Sequence, residues 1–289
     1  MPDVDVLMIG HFARDRLVVG DSSEVSSGGG VYYGSVALRR LGFRVAVVTR
    51  LHADDFPRLD EMRREGVQVY ATAAPETSGI ENVYDPNDLD RRTCRPLGFA
   101  GPFRREDVPD LSARVILVVP IIAGEVDLPL LQWLAGRGPV GLDVQGFVRF
   151  PDNRSGYLVS RRWPDMPTGL AHVTYLKVDG TEAELLTGQT DLRIAARQLA
   201  DSGSREVIAT QSSGVTVCAD GQIHKAPFTP RSLAGRTGRG DTCFATYVGK
   251  RLSAPAEEAC RFAAAVTTLK QEQHGPWRGT PADVEALLG

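Results

Sequence analysis

Short β-rich runs alternate with amphipathic helical patterns along most of this chain, and no other feature limits its fold as strongly. The runs "VDVLMI", "RVAVVT", "ARVILVVP", "PVGLDV", "VTYLKV" and "EVIAT" read as strands, several of them apolar throughout, as strands covered on both faces are. Between them, "YYGSVALRRLG" sets Val36, Leu38 and Leu41 near one face and stops at Gly42; "LDEMRREG", "DLPLLQWLAGRG", "GTEAELLTG" and "LRIAARQLADSG" behave likewise. Strand, helix, strand in series implies right-handed crossovers and a mostly parallel sheet with helices on both faces. The 289 residues suffice for a single α/β domain, 1–289, with an ample core.

The last third changes character. "GVTVCADGQIHKAPF" holds an Asp-Gly pair between two alternating runs, which predicts a hairpin, and two small-residue-rich helical patterns follow, "DTCFATYVGKRL" and "PAEEACRFAAAVTTLKQEQ". Residues 67–97 break the alternation, with strand-like pieces such as "GIENVY" joined by Pro, Asn and Asp turns. Together with "DRLVV", they predict a strand-built flap contributed by about 15–27 and 67–97. A flap of this kind excludes water from a site, covers a sheet edge or pairs with a second copy in a homodimer.

Charge and composition remove several classes of function. Lys+Arg of 33 against Asp+Glu of 36, with basic residues clustered no further than pairs, leaves no electrostatic footprint for nucleic acid. No apolar run approaches the roughly 18 residues of a membrane span. "MPDVDVLMIG" carries aspartates and no cationic lead, so it reads as a first strand instead of a signal peptide, and a cytoplasmic protein is expected. Cys94, Cys218, Cys243 and Cys260 form no CxxC pair and read as reduced thiols. His11, His52, His172, His224 and His274 show no metal-ligand spacing.

Two glycine-rich segments carry the chemistry. In "SSGGGVYYGSVALRRLG", successive glycines before a helix let backbone approach a ligand closely, although no apolar strand directly precedes them and a plain loop explains them equally well. In "AGRTGRGDTCFATYVG", Gly235, Gly238 and Gly240 free successive N–H groups to point inward, and a helix start adds its positive end to the same spot. That combination binds anions, and a transferring phosphoryl group is such an anion. Asp241 beside it reads either as the base for an attacking hydroxyl or as the helix N-cap.

The segments "GGGVYYGSVALRRLG" and "RTGRGDTC" resemble, in order and well separated, the two signatures of the ribokinase/PfkB family of sugar and nucleoside kinases. The resemblance implies a ribokinase-like three-layer α/β/α fold with a mostly parallel sheet and a small β-strand lid. In the place of the family's Asp-Thr-x-Gly-Ala-Gly-Asp stand residues 235–241, so the resemblance makes Asp241 the catalytic base and Gly238, Arg239 and Gly240 the anion hole. "GHFARD" is similar to the first-strand Asn-x-Asp turn and puts Asp15 in the place of a sugar-hydroxyl acceptor. "LDVQGFVR" resembles Asp-x-Asn-x-Arg, which turns Gln145 and Arg149 toward the substrate or its phosphate; Gly29, Gly30 and Tyr33 of the first signature join them on the acceptor side.

On the donor side, "LKVDGTEAELLTG" resembles the Asn-x-x-Glu element, with Asp179 replacing the asparagine and Glu182 kept as the acid that organises magnesium through water. "ATQSSGV" parallels Thr-x-Gly-x-x-Gly and sets Thr210, Ser212 and Gly214 against a nucleotide, and "RFAAAVTTLKQEQHGP" resembles the helix and turn bordering adenine. The implied enzyme is an ATP- and Mg2+-dependent kinase of a small hydroxylated acceptor: a sugar, a cyclic polyol or a nucleoside. Tyr33 stands where an asparagine is usual; aromatic residues recur there in inositol-kinase-like members, which points to a cyclic polyol or an unusual sugar, and a tyrosine equally suits stacking on a nucleoside base. Arg236, Arg239, Gly235 and Asp179 depart from the pattern and leave open a catalytically impaired binding relative. A dinucleotide oxidoreductase would need a fingerprint that "MIGHFARD" lacks.

Overall fold

The computed structural model describes residues 2–20, 22–85 and 88–289. Asp21, Pro86 and Asn87, which fall inside the expected flap segments, lie outside the described residues.

The chain enters through β1 (Val4–Ile9), leaves for β2 (Ala13–Val19) and β3 (Ser22–Gly28), and returns by α1 (Gly30–Arg40) to β4 (Val45–Leu51). Next, α2 (Asp60–Arg64) leads to β5 (Gln68–Ala73), and β6 (Gly79–Asp85) and β7 (Asp88–Gly98) make a second excursion. Then follow β8 (Ala113–Val118), α3 (Leu128–Ala135), β9 (Val140–Asp143), α4 (Gln145–Val148), and a hairpin of β10 (Arg149–Asp152) and β11 (Tyr157–Ser160). After α5 (Met166–Leu170) come β12 (Tyr175–Asp179), α6 (Gly180–Thr187) and α7 (Leu192–Asp201). The chain closes with β13 (Glu206–Gln211), β14 (Gly214–Ala219), β15 (Gln222–Pro227), α8 (Arg239–Arg251), α9 (Ala256–Gln271) and α10 (Pro281–Leu288).

Nine strands form the central sheet in the order β15-β14-β13-β12-β9-β8-β1-β4-β5, parallel from β13 to β5. The β14–β15 hairpin turns at Asp220 and Gly221, both at positive φ (47° and 74°), the geometry for which an Asp-Gly pair is selected. Because successive side chains point to opposite faces, Leu7 and Ile9 pack against α3, α6 and α7, whereas Val6 and Met8 pack against α1, α8 and α9. The result is a three-layer α/β/α fold.

A second sheet, β3-β2-β6-β7, is the flap. Two segments depart from the sequence reading. Residues 68–73 were expected in the flap, but they pair in parallel with β4 as the central sheet's edge strand, and their half-buried character comes from that edge. The glycine signature does follow a strand directly: "SSEVSSG" pairs with β2 at the flap's outer edge, where exposure on both faces removes any apolar alternation.

Helices α1 and α8 approach closely through small residues. A Cβ at Gly34 would lie 2.9 Å from Ala245 Cβ and 2.6 Å from Met8 Cε, and one at Gly249 would lie 2.6 Å from Leu38 Cδ2. This contact brings the two helix N-termini side by side.

Candidate active site

At the carboxyl ends of the parallel strands, under the flap, lies a cavity of about 370 Å³. Sheet register builds its floor by pairing Lys177 across from Asp143 and Asp179 across from Thr210. Lys177 Nζ lies 3.1 Å from Asp143 Oδ2 and 3.6 Å from Glu182 Oε2, and all three side chains are buried. The flap adds Asp15 and Asn82, with the Ile80 N–H donating to Asp15 Oδ1 at 2.8 Å.

Two helices begin at one wall. Gly29, at φ 91°, precedes α1, and a Cβ there would lie 2.4 Å from the His11 carbonyl oxygen. A Cβ on Gly30 would sit 3.1 Å from Asp241 Oδ1, so that carboxylate lies over the start of α1. The N-cap of α8 is Gly238, left-handed at φ 82° and without a side-chain cap. Asp241 is therefore not the N-cap; it is the third residue of the helix. Among the described residues the amides of Gly240 and Asp241 have no backbone acceptor. Unpaired first-turn amides and two aligned helix ends make this wall attractive to an anion.

Burial pushes the Asp241 carboxyl up to about 6, the charge of Asp143 adding to the effect while Lys177, Arg149 and Lys270 oppose it. Glu182 has a different setting. It closes a capping box on α6, accepting from the Asp179 N–H at 2.7 Å while its own N–H donates to Asp179 Oδ1 at 2.8 Å. Burial raises it to about 7 against the pull of Lys177. It lines a neighbouring hollow with Arg149 and Asp179 instead of the main cavity.

Of the residues singled out in the sequence, Asp15, Gly29, Gly30, Tyr33, Gln145 and Arg149 line the cavity. So do Asp179, Thr210, Ser212 and residues 238–241. Gly214 stands apart, as the first residue of β14, where a Cβ would come within 2.5 Å of the Ala226 carbonyl oxygen. The sequence reading passed over Asp143, Lys177 and Asn82. A lysine inside the apolar run "YLKVD" was the available signal, because a buried charge in a strand needs a partner.

Among the described residues no group of three or more His, Cys, Asp or Glu side chains is placed to hold a metal ion. Magnesium that arrives on a phosphate donor keeps most of its waters and needs few protein ligands. The donor set fits that mode, with Asp179 lining the cavity and Glu182 behind it.

An α/β/α domain with two helix N-termini side by side in a cavity beneath a β flap defines a class, the small-molecule kinases of ribokinase fold. Residues 151–283 match the pfkB family carbohydrate kinase profile. A solved pyrophosphate-dependent kinase in the ribokinase family is 37% identical, with 97% of this chain and 99% of that chain covered and a TM-score of 0.90. A pyrophosphate-dependent myo-inositol-1 kinase, converted by substitution into a myo-inositol-3 kinase, is 35% identical over 98% of both chains at a TM-score of 0.89. A cytidine kinase of Thermococcus kodakarensis is 25% identical over 95% of this chain and 98% of its own. The chain belongs to the ribokinase, or PfkB, family and is a kinase.

Proposed function

We propose that this kinase moves a phosphoryl group from pyrophosphate to a hydroxyl of a cyclic polyol, with myo-inositol the first acceptor to test, and that Asp241 is the base. The observation that carries the proposal is the Asp241 carboxylate, raised to about 6 and set between the starts of α1 and α8. Such a base is mostly ionised at neutral pH yet basic enough to take the proton of an attacking hydroxyl. The acceptor oxygen bonds to the near phosphorus as the bridging P–O bond breaks. The hydroxyl proton passes to Asp241 and leaves with orthophosphate.

Gly238, Arg239 and Gly240 hold the transferring group. The amides of Gly240 and Asp241 are the donors, and Arg236 and Arg239 add charge beside them. Asp15, Gly29, Gly30, Tyr33, Gln145 and Arg149 orient the acceptor. Gln145 is itself steadied by donating from Nε2 to the Ile121 carbonyl oxygen at 3.2 Å. Thr210 and Ser212 face the donor. Asp179, and Glu182 through water, would hold magnesium, which neutralises donor oxygens when bound.

Pyrophosphate is favoured over the ATP that the motifs suggest for two reasons. The solved relatives at 35–37% identity are pyrophosphate-dependent. In addition, two arginines stand in the glycine segment, where a compact, highly charged donor gains most from them. Phosphate release and 31P NMR with myo-inositol and either donor test this. Expected are turnover with pyrophosphate exceeding that with ATP, and a loss of about a thousandfold or more in kcat for Asp241→Asn with donor binding kept. ATP as the better donor overturns the donor reading, and a near wild-type Asp241→Asn overturns the base.

A further inference from the structure

Below the glycine wall, one charge has no role in the scheme above. Lys270, in the last turn of α9, is completely buried, and its Nζ donates to the Gly235 carbonyl oxygen at 2.6 Å. The same Nζ lies 5.2 Å from the centre of the Tyr33 ring. Among the described residues no carboxylate forms an ion pair with it. A buried ammonium held by one carbonyl and one aromatic face is a costly arrangement that packing alone would not select.

The neighbours of Lys270 lead straight to the reacting groups. A Cβ on Gly235 would lie 1.6 Å from the Gln273 carbonyl oxygen, and the Gly235 N–H donates to the Gln271 carbonyl oxygen at 2.8 Å, so this part of the loop is pressed onto the end of α9. Tyr33 in turn covers Gly238, where a Cβ would come within 2.3 Å of the ring. Gly238 is the N-cap of the helix that carries Asp241.

We propose that Lys270 is a positioning residue for phosphoryl transfer: a tethered cation that pins Gly235 and Tyr33, and through them the N-cap Gly238, beneath the anion wall. The inference rests on the phosphotransfer reading above. The ammonium acts on Asp241 in two ways, through the loop geometry and through its charge, which favours the ionised base. The groups facing Lys270 are Asp241 of α8, which holds the proton on, Arg278 beyond α9, which works against it, and the Tyr33 ring of α1. Burial is the largest influence and brings Lys270 down to about 8.

The experiment compares Lys270→Met, similar in length and uncharged, with Lys270→Ala and wild type in the full chain. Thermal unfolding is recorded beside kcat, acceptor KM and the pH dependence of kcat. Lys270→Met is expected to lose about tenfold to a hundredfold in kcat, with acceptor KM changed by less than about threefold. Its acid limb should move up by about one pH unit, because a cation near the base has gone. Methylammonium to butylammonium salts should restore part of the rate of Lys270→Ala, with an optimum of size.

A folded Lys270→Met within about twofold of wild-type kcat and with an unmoved acid limb would make Lys270 a packing residue and overturn the inference. Should both variants fail to fold, the wild-type kcat/KM profile decides: a fall above about pH 8 supports the proposal and a flat limb overturns it. Asp241→Asn serves as the control. If it is active, the phosphotransfer reading itself fails; if it is inert beside a wild-type-like Lys270→Met, only this inference fails.

Discussion

Replacing Lys177 by methionine should destabilise the protein, and more so as the pH rises. The ammonium lies between Asp143 and Glu182, at 3.1 and 3.6 Å, and the three side chains are at most 6% exposed. Methionine fills the space but leaves two carboxylates without their counter-charge. Breaking a buried pair in this way costs about 3–5 kcal/mol. For a chain of this size that corresponds to a fall in Tm of roughly 6–20 °C. The pH dependence follows from Glu182, whose carboxyl stands at about 7 with Lys177 present and must rise further without it. A carboxyl with a folded pKa above its unfolded value binds its proton more tightly in the folded state between those two values. Stability therefore declines as pH rises through that window and recovers as pH falls toward the unfolded value. Melting curves for both proteins between pH 5 and pH 8 should show the deficit at pH 8 shrinking to less than about half at pH 5. A deficit below about 2 °C, or one of equal size at both ends, would refute the idea that Lys177 offsets buried carboxylate charge.

Three further outcomes follow from the same geometry. The kcat/KM of the wild type should fall with unit slope below about pH 6 as Asp241 takes up its proton, and a profile level to pH 5 would count against the assigned base. Gly238→Ala forces a Cβ into a left-handed position and onto the Tyr33 ring; it should cost about 1–2 kcal/mol of stability from the backbone alone and about a hundredfold in kcat. Tyr33→Ala in the same chain should return part of that stability, and simple additivity in the double variant would show that the two residues do not press on each other. Gly34→Leu should wedge α1 from α8, lowering Tm and kcat together; a variant that loses only stability would mean that the helix contact does not align the two N-termini.

The layers of this fold were legible because they are written in local periodicity, whereas the site's long-range partners are written nowhere locally. Runs such as "ARVILVVP" name a buried strand, and an Asp-Gly pair names a hairpin, within a few residues of themselves. By contrast, "SSEVSSG" falls within the expected flap segment of about 15–27 but carries no apolar alternation of its own, and it is extended through its pairing with β2. The same division runs through the cavity. Gly238 and Asp241 stand out because a turn and a helix start are local events, and likeness to a family motif then attached chemistry to them. Lys177 and Asp143 are 34 positions apart, and only the parallel register of β12 on β9 makes them neighbours. Lys270 is further disguised: a basic residue in a helix's last turn is the ordinary complement of the helix dipole, usually solvated. What marks it out is burial against Gly235 and Tyr33, contacts that exist only after α9 has packed against the glycine loop. The proposed chemistry therefore draws on two kinds of residue: those that shape a local turn and announce themselves, and those whose charge matters only through neighbours supplied by the completed sheet and helix layers.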